Sequence, residues 1–234
     1  MRILFRTGLW LALASATAMS MADGFSLKRI PKVGAAVKFS MEATFQANGA
    51  SGTLKAVLLE KTTGMDKDCN FTVQQSQLEA SATYDSESID VSARTPVTMT
   101  YKPNGQVTLI AGDLTDANAY RMENLGSLLD PGKQVNVGDV WITEIKEDKS
   151  LGTHGVHTEL KLIGEEKIGE FNTIKIKGMS KEDFGDSPAT DDFTIWINKE
   201  DGSLVQLESK WTNAPFPGQT APIPATIKMT RLAS

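Results

Sequence analysis

The chain has 234 residues, 24 basic and 29 acidic side chains, a net charge of −5, 40% hydrophobic residues and one cysteine. A mildly acidic chain with no basic run is poorly suited to nucleic acid or to an anionic membrane surface. One cysteine excludes a disulfide framework within the chain, and Cys69 reads as a small buried hydrophobe.

The first 22 residues have three parts. Arg2 and Arg6 supply positive charge, Ile3 through Ala14 is largely apolar, and Ser20-Met21-Ala22 forms a small-x-small cleavage site before Asp23. This is the pattern of a Sec-type signal peptide over 1–22, with a cut after Ala18 as the alternative. Its apolar core of about 12 residues is short of the roughly 20 that a spanning helix needs, so no membrane span is expected in the mature chain. No cysteine lies near the cleavage site to carry a lipid. Loss of Arg2 and Arg6 leaves 22 basic residues against 29 acidic ones, a charge of −7. The expected location is periplasmic or extracellular.

From there the chain alternates apolar and polar residues with a period of two, the mark of half-buried strands. Val37, Phe39, Met41, Ala43 and Phe45 form the first such set, followed by 54–60 and 71–84. Val97 to Gly112 reads as a hairpin, because Pro103-Asn104-Gly105 suits a tight turn. Further strands are expected at 140–147, 157–163 and 173–179, then a hairpin turning at Asp201-Gly202, and last Ala225 to Leu232. Between the halves, Leu114, Ala117, Met122, Leu125, Leu128 and Leu129 recur near helical spacing. One amphipathic helix is predicted over 116–129, capped by Thr115 or Asp113, weakened by Gly126 and stopped by Asp130-Pro131-Gly132.

The division expected is therefore a first β unit (23–112), a helix and linker (113–132) and a second β unit (133–234), or one continuous domain over 23–234. KVGAAVKFSME (32–42) echoes NVGDVWITEIK (136–146), and two later blocks match in the same order, as two copies of one unit would. The fold class is mainly β: a strongly curved antiparallel sheet, either a half-barrel or two apposed units, with one amphipathic helix packed against it.

The segments VNVGDVW, EEKIGEFNTIKIKG and TIWINKEDGSLVQLESKW carry a resemblance to known proteins. The last contains Trp196-Ile197-Asn198-Lys199-Glu200-Asp201-Gly202-Ser203-Leu204, similar to the Trp-Ile-(Asp/Asn)-Lys-x-x-Gly-x-Leu hairpin of the outer-membrane lipoprotein-sorting proteins. The chain resembles these LolA-like half-barrel proteins, or a related secreted bacterial family of unknown function, mainly in its C-terminal half. The resemblance implies a curved sheet that holds acyl chains or lipidated partners. Carriers of that kind close the sheet with several helices, where one is read here.

No pattern for a specific reaction stands out. His154 and His157 are flanked by Gly152 and Gly155 and run into a strand, which turns positions three apart to opposite sides, so no metal site is assigned. Asp183, Asp186, Asp191 and Asp192 crowd one turn without the spacing of a calcium loop. No nucleophile elbow or zinc-protease helix is present, so no catalytic residue and no cofactor is expected. The Pro-rich stretch 213–224 reads as a stiff crossover loop, or as a lid carrying Phe216 and Ile223. The expected function is non-enzymatic binding of a lipid, or of a lipidated or hydrophobic partner, in an apolar groove. Inward-facing Phe39, Met41, Met99, Trp141 and Trp196 would line it, with Phe216 at the rim. The alternative is a structural or interaction module of the cell envelope with a closed core.

Overall fold

The computed structural model describes residues 24–47, 49–89, 91, 95–113, 115–185, 187–217, 219 and 221–233. The expected signal segment, Leu114 and Asp186 lie outside them. Among the described residues, alternation produces twelve strands: β1 (Ala36–Ala47), β2 (Ala50–Met65), β3 (Phe71–Tyr84), β4 (Glu87–Ile89), β5 (Val97–Tyr101) and β6 (Val107–Ala111), then β7 (Val140–Ile145), β8 (Val156–Ile168), β9 (Phe171–Glu182), β10 (Thr190–Asn198), β11 (Leu204–Ala214) and β12 (Ile223–Arg231). They form one antiparallel sheet in the order β6-β5-β3-β2-β1-β12-β11-β10-β9-β8-β7, with β4 beside β3. The last strand pairs with the first, Met229 opposite Met41, so one sheet runs through both halves.

Helix α1 (Ala117–Gly126) lies in the connection between β6 and β7, the two ends of the sheet order. It touches β6 on one side and β8, β9 and β10 on the other. A single helix meets strands from both ends only if the sheet curls toward itself, giving an open half-barrel with α1 in its gap. The expected fold class holds.

The helix differs from expectation in both ends. Asp116 is the cap, its Oδ1 accepting from the Ala119 amide at 3.0 Å, while Asp113 accepts from the Thr95 hydroxyl. The helix stops at Gly126, before the predicted Leu129: Ser127 is extended and its hydroxyl takes the Glu123 carbonyl at 2.6 Å. A hydroxyl that satisfies a last-turn carbonyl competes with another helical turn. Leu129 still reaches the core beyond the helix, 5% exposed.

Register decides which face is inner. Phe39, Ala43, Leu58, Phe71, Val73, Phe193, Ile195 and Trp211 fall on one side and are buried; their alternating neighbours are mostly exposed. Rings fold over cross-strand glycines on this side. A Cβ on Gly178 would sit 2.3 Å from the Phe193 ring, and one on Gly52 would sit 2.2 Å from the Phe45 ring. Burying a side chain of this size is worth roughly 2–3 kcal/mol, and the glycines make that depth available.

Cys69 corrects the sequence reading. It is exposed, at φ 62°, in the turn between β2 and β3. Asp66 organises that turn, its Oδ1 accepting from the Asp68 and Asn70 amides at 2.9 Å, so the thiol faces solvent.

Candidate functional site

Residues before β1 do something the sequence did not announce: they form a strap inside the half-barrel. Phe25 exchanges backbone hydrogen bonds with Val135 at 2.7 and 3.0 Å, and the Ile30 amide donates to the Asp201 carbonyl at 2.8 Å. Leu27 is buried in the core cluster with Trp141, Leu160, Ile195 and Ile197. At its far end Arg29 pairs with Glu60 of β2 through Nη2 and Oε1.

Two cavities adjoin at this ion pair. The larger, about 190 Å³, lies between the strap, β5, β10 and the C-terminal end of α1. Leu27, Leu128, Ile195, Ile197 and Leu204 give it an apolar side, and Glu60, Phe71, Tyr101 and Glu123 a polar, aromatic one. The smaller, about 130 Å³, lies between the strap and β1, with Phe39, Val37 and Leu204 in its wall. Arg29, Glu60 and Leu204 border both.

The electrostatics follow from burial. The Arg29 guanidinium stands 5.1 Å from the Phe71 ring centroid, and Phe71 stacks on Tyr101 at 5.3 Å. The Tyr101 hydroxyl donates to Glu123 Oε2 at 3.2 Å. Burial raises the Glu123 carboxyl above its ordinary value, against the opposing effect of that hydrogen bond. Burial, then the Glu123 and Glu60 charges, hold the Tyr101 phenol well above its own. The cavity is partly enclosed, with two carboxyl groups, a phenol and one guanidinium on its polar side.

A clamp and a belt hold the frame. Arg121 of α1 makes a bidentate pair with fully buried Glu182, Nε–Oε1 at 2.6 Å and Nη2–Oε2 at 2.7 Å. Asn118 donates to the Phe216 and Gln219 carbonyls at 3.4 and 3.1 Å, tying the Pro-rich loop to the helix. Thr158, Ser180, Asp191 and Ser209 form a buried polar belt across β8 to β11; Ser209 donates to Asp191 at 2.6 Å. Burial pushes Asp191 up to about 7.

The six residues expected at the site do not converge. Phe39 lines the smaller cavity. Met99 is buried on the inner face, with the Tyr101 hydroxyl 3.2 Å from its sulfur. Trp141 is core, 6% exposed. Met41 is half-buried and borders a separate open depression of about 530 Å³, whose other walls include Ser40, Glu42, Lys55 and Lys228. Phe216 packs partly against the cluster of Leu125, Leu129 and Trp211. Trp196 is the correction: it pairs with Lys175 and Gln206, positions that alternate with inward Ile195 and Ile197, and so lies on the outer face. Glu166 accepts its indole N–H at 2.9 Å and Lys175 covers its ring, which keeps it buried there.

Of the remaining sequence candidates, His157 faces Glu144 at 3.4 Å. Asp191 and Asp192 point to opposite faces of β10, so these two carboxylates do not converge. The residues missed were Arg29, Glu60, Tyr101 and Glu123. A signal existed for two of them: Glu60 keeps the phase of Leu54, Ala56 and Leu58, and Tyr101 that of Val97 and Met99, which places polar groups on an inner face.

No described protein family matches the chain, and no curated protein matches it in sequence. Among solved structures, one of lipid–protein interactions in lipovitellin aligns with 87% of this chain at 11% identity and a TM-score of 0.52. The likeness is one of fold. The chain spans only a quarter of the lipovitellin chain's length. Two bacterial structures align more loosely. The hypothetical lipoprotein YmcC of Escherichia coli aligns over 87% of this chain and 89% of its own, at 13% identity and a TM-score of 0.36. A Bacteroides fragilis protein whose fold is described as YmcC-like aligns over 90% and 100%, at 9% and 0.32. Among the described residues, no helix is long and apolar enough to cross a membrane.

Proposed function

We propose that this chain is an exported, non-enzymatic binding protein that takes an apolar chain, from a lipid or a lipidated or hydrophobic partner, between the strap and the half-barrel. One observation carries the reading: two adjoining cavities lie under the strap, and the larger has a continuous apolar side from Leu27, Ile195, Ile197 and Leu204. Interior space lined this way favours an aliphatic chain over water. The cavities are below the 300–1,000 Å³ of a whole drug-sized pocket, so the occupant is a chain end or headgroup region rather than an entire lipid. The lipovitellin likeness supports the reading through its fold, and the N-terminal sequence supports export.

The second reading, an envelope module with a closed core, draws on the filled interior beneath β7 to β10, where Leu160, Leu162 and Ile176 are fully buried. Titration with N-phenyl-1-naphthylamine decides between them. Saturable fluorescence enhancement, displaced by 1-octanol and lost in Ile195→Trp, is the expected result. No saturable signal at any concentration, with no lipid retained in native mass spectra of protein purified from cells, would leave the closed-core module.

A further inference from the structure

The larger cavity is chemically two-sided in a way that an apolar ligand alone does not explain. Glu60, Glu123 and Asp130 border it against one base, Arg29. That base is already committed, through Nη2 to Glu60 and through its guanidinium face to the Phe71 ring. Glu123 receives the Tyr101 hydroxyl, and among the described residues no lysine or arginine forms an ion pair with it. Three carboxyl groups to one guanidinium give the partly enclosed space an excess of acidic over basic groups, where charges act at lower effective dielectric than in bulk water. An anion would have to displace Glu60 from Arg29 and stand beside Glu123 and Asp130. A cation meets no such obstacle.

We propose that this cavity binds the ammonium end of a cationic amphiphile, with Glu123 as its counter-ion, Tyr101 beside it, and the first methylenes along Leu27, Ile195 and Ile197. This rests on the apolar-chain reading above and adds the class of headgroup. The size agrees. About 190 Å³ equals roughly six water volumes at about 30 Å³ each, room for an alkylammonium group and the start of its chain. An ammonium beside an aromatic ring and a carboxylate, partly screened from water, gains from both cation–π attraction and ion pairing.

The test is calorimetric titration of the purified protein with octyltrimethylammonium, 1-octanol and octanoate, which share a chain and differ in charge. The ammonium compound is expected to bind about tenfold tighter than the alcohol, with octanoate weakest. Glu123→Gln should erase the preference for the ammonium compound over 1-octanol. Arg29→Gln, which frees Glu60, should tighten the ammonium further, so the idea survives if one variant folds poorly. Equal affinity for all three ligands, octanoate binding best, or an intact preference in Glu123→Gln would overturn the headgroup assignment while the chain site stands. Failure of every ligand, 1-octanol included, would overturn the apolar-chain reading itself.

Discussion

Gly34 and Gly138 hold the same turn in the two halves of the chain. The Gly34 amide donates to the Thr62 carbonyl at 2.8 Å and the Gly138 amide to the Leu162 carbonyl at 2.9 Å. Thr62 donates back to Ala35 at 3.0 Å and Leu162 to Asp139 at 3.1 Å. Two residues on, the ladder slips at Gly64 in one half and at Gly164 in the other. Both turn glycines have positive φ, 87° and 92°, and a Cβ on either would touch nothing within 4 Å. Alanine at either place therefore meets only the backbone cost, about 1–2 kcal/mol. Gly34→Ala and Gly138→Ala should each lower the urea unfolding free energy by that amount, with asparagine costing less. A loss beyond about 3 kcal/mol in either variant would show that the turn bears more than a dihedral requirement.

The Arg121–Glu182 clamp joins the helix to β9 with the carboxylate fully buried. Removing the base strands a charge, at a cost of about 3–5 kcal/mol. Replacing both partners by apolar groups strands only the Ala189 amide, which donates to Glu182 Oε2 at 2.9 Å, at about 1–3 kcal/mol. Chemical denaturation should thus rank Arg121→Met well below the double variant Arg121→Met/Glu182→Leu. Additive losses in the double variant would contradict this account.

Asp191 gives the fold a pH signature. Its carboxyl is displaced by burial from 3.8 to about 7, with Ser209 opposing and Asp192 adding to the effect. The folded chain then holds a proton that the unfolded chain has released between about pH 4 and pH 7, so stability falls as pH rises across that window and levels off above it. The displacement corresponds to an upper value of about 4 kcal/mol. Asp191→Asn accepts the same Ser209 bond without ionising. The difference in melting temperature between variant and wild type should grow from pH 4 to pH 7 in the variant's favour; a constant difference would rule Asp191 out as its source.

Gly178 lies under the Phe193 ring and against Leu160, 2.8 Å from where a Cβ would be. Because interiors are close-packed, Gly178→Ala should cost about 1–3 kcal/mol. Phe193→Leu should recover part of it when combined, measurable in a double-mutant cycle. A harmless Gly178→Ala would mean that the ring moves freely.

Strand phase was legible in the chain because a period of two is a local property. Phe71 to Tyr84 matches β3 end to end. Local chemistry also misled where a neighbour in space intervened. Trp196 reads as an inward aromatic, yet its partners Glu166 and Lys175 arrive from β8 and β9 on the other face. The helix pattern ran to Leu129, but Ser127 closes the helix by taking a carbonyl that periodicity does not register.

By itself, then, the sequence determined the mainly β character, the hairpins at Gly105 and Gly202 and the single amphipathic helix. Each depends on side-chain alternation or backbone freedom within a few residues. The tertiary structure alone decided that the first strand pairs with the last, that the strap crosses the interior, and that Arg29, Glu60, Tyr101 and Glu123 surround one cavity. Those four come from the strap, β2, β5 and α1, and only the curl of the sheet brings such distant segments together. Nothing in the local order of residues encodes that closure; it follows from burying a continuous apolar face that a flat sheet would leave in water.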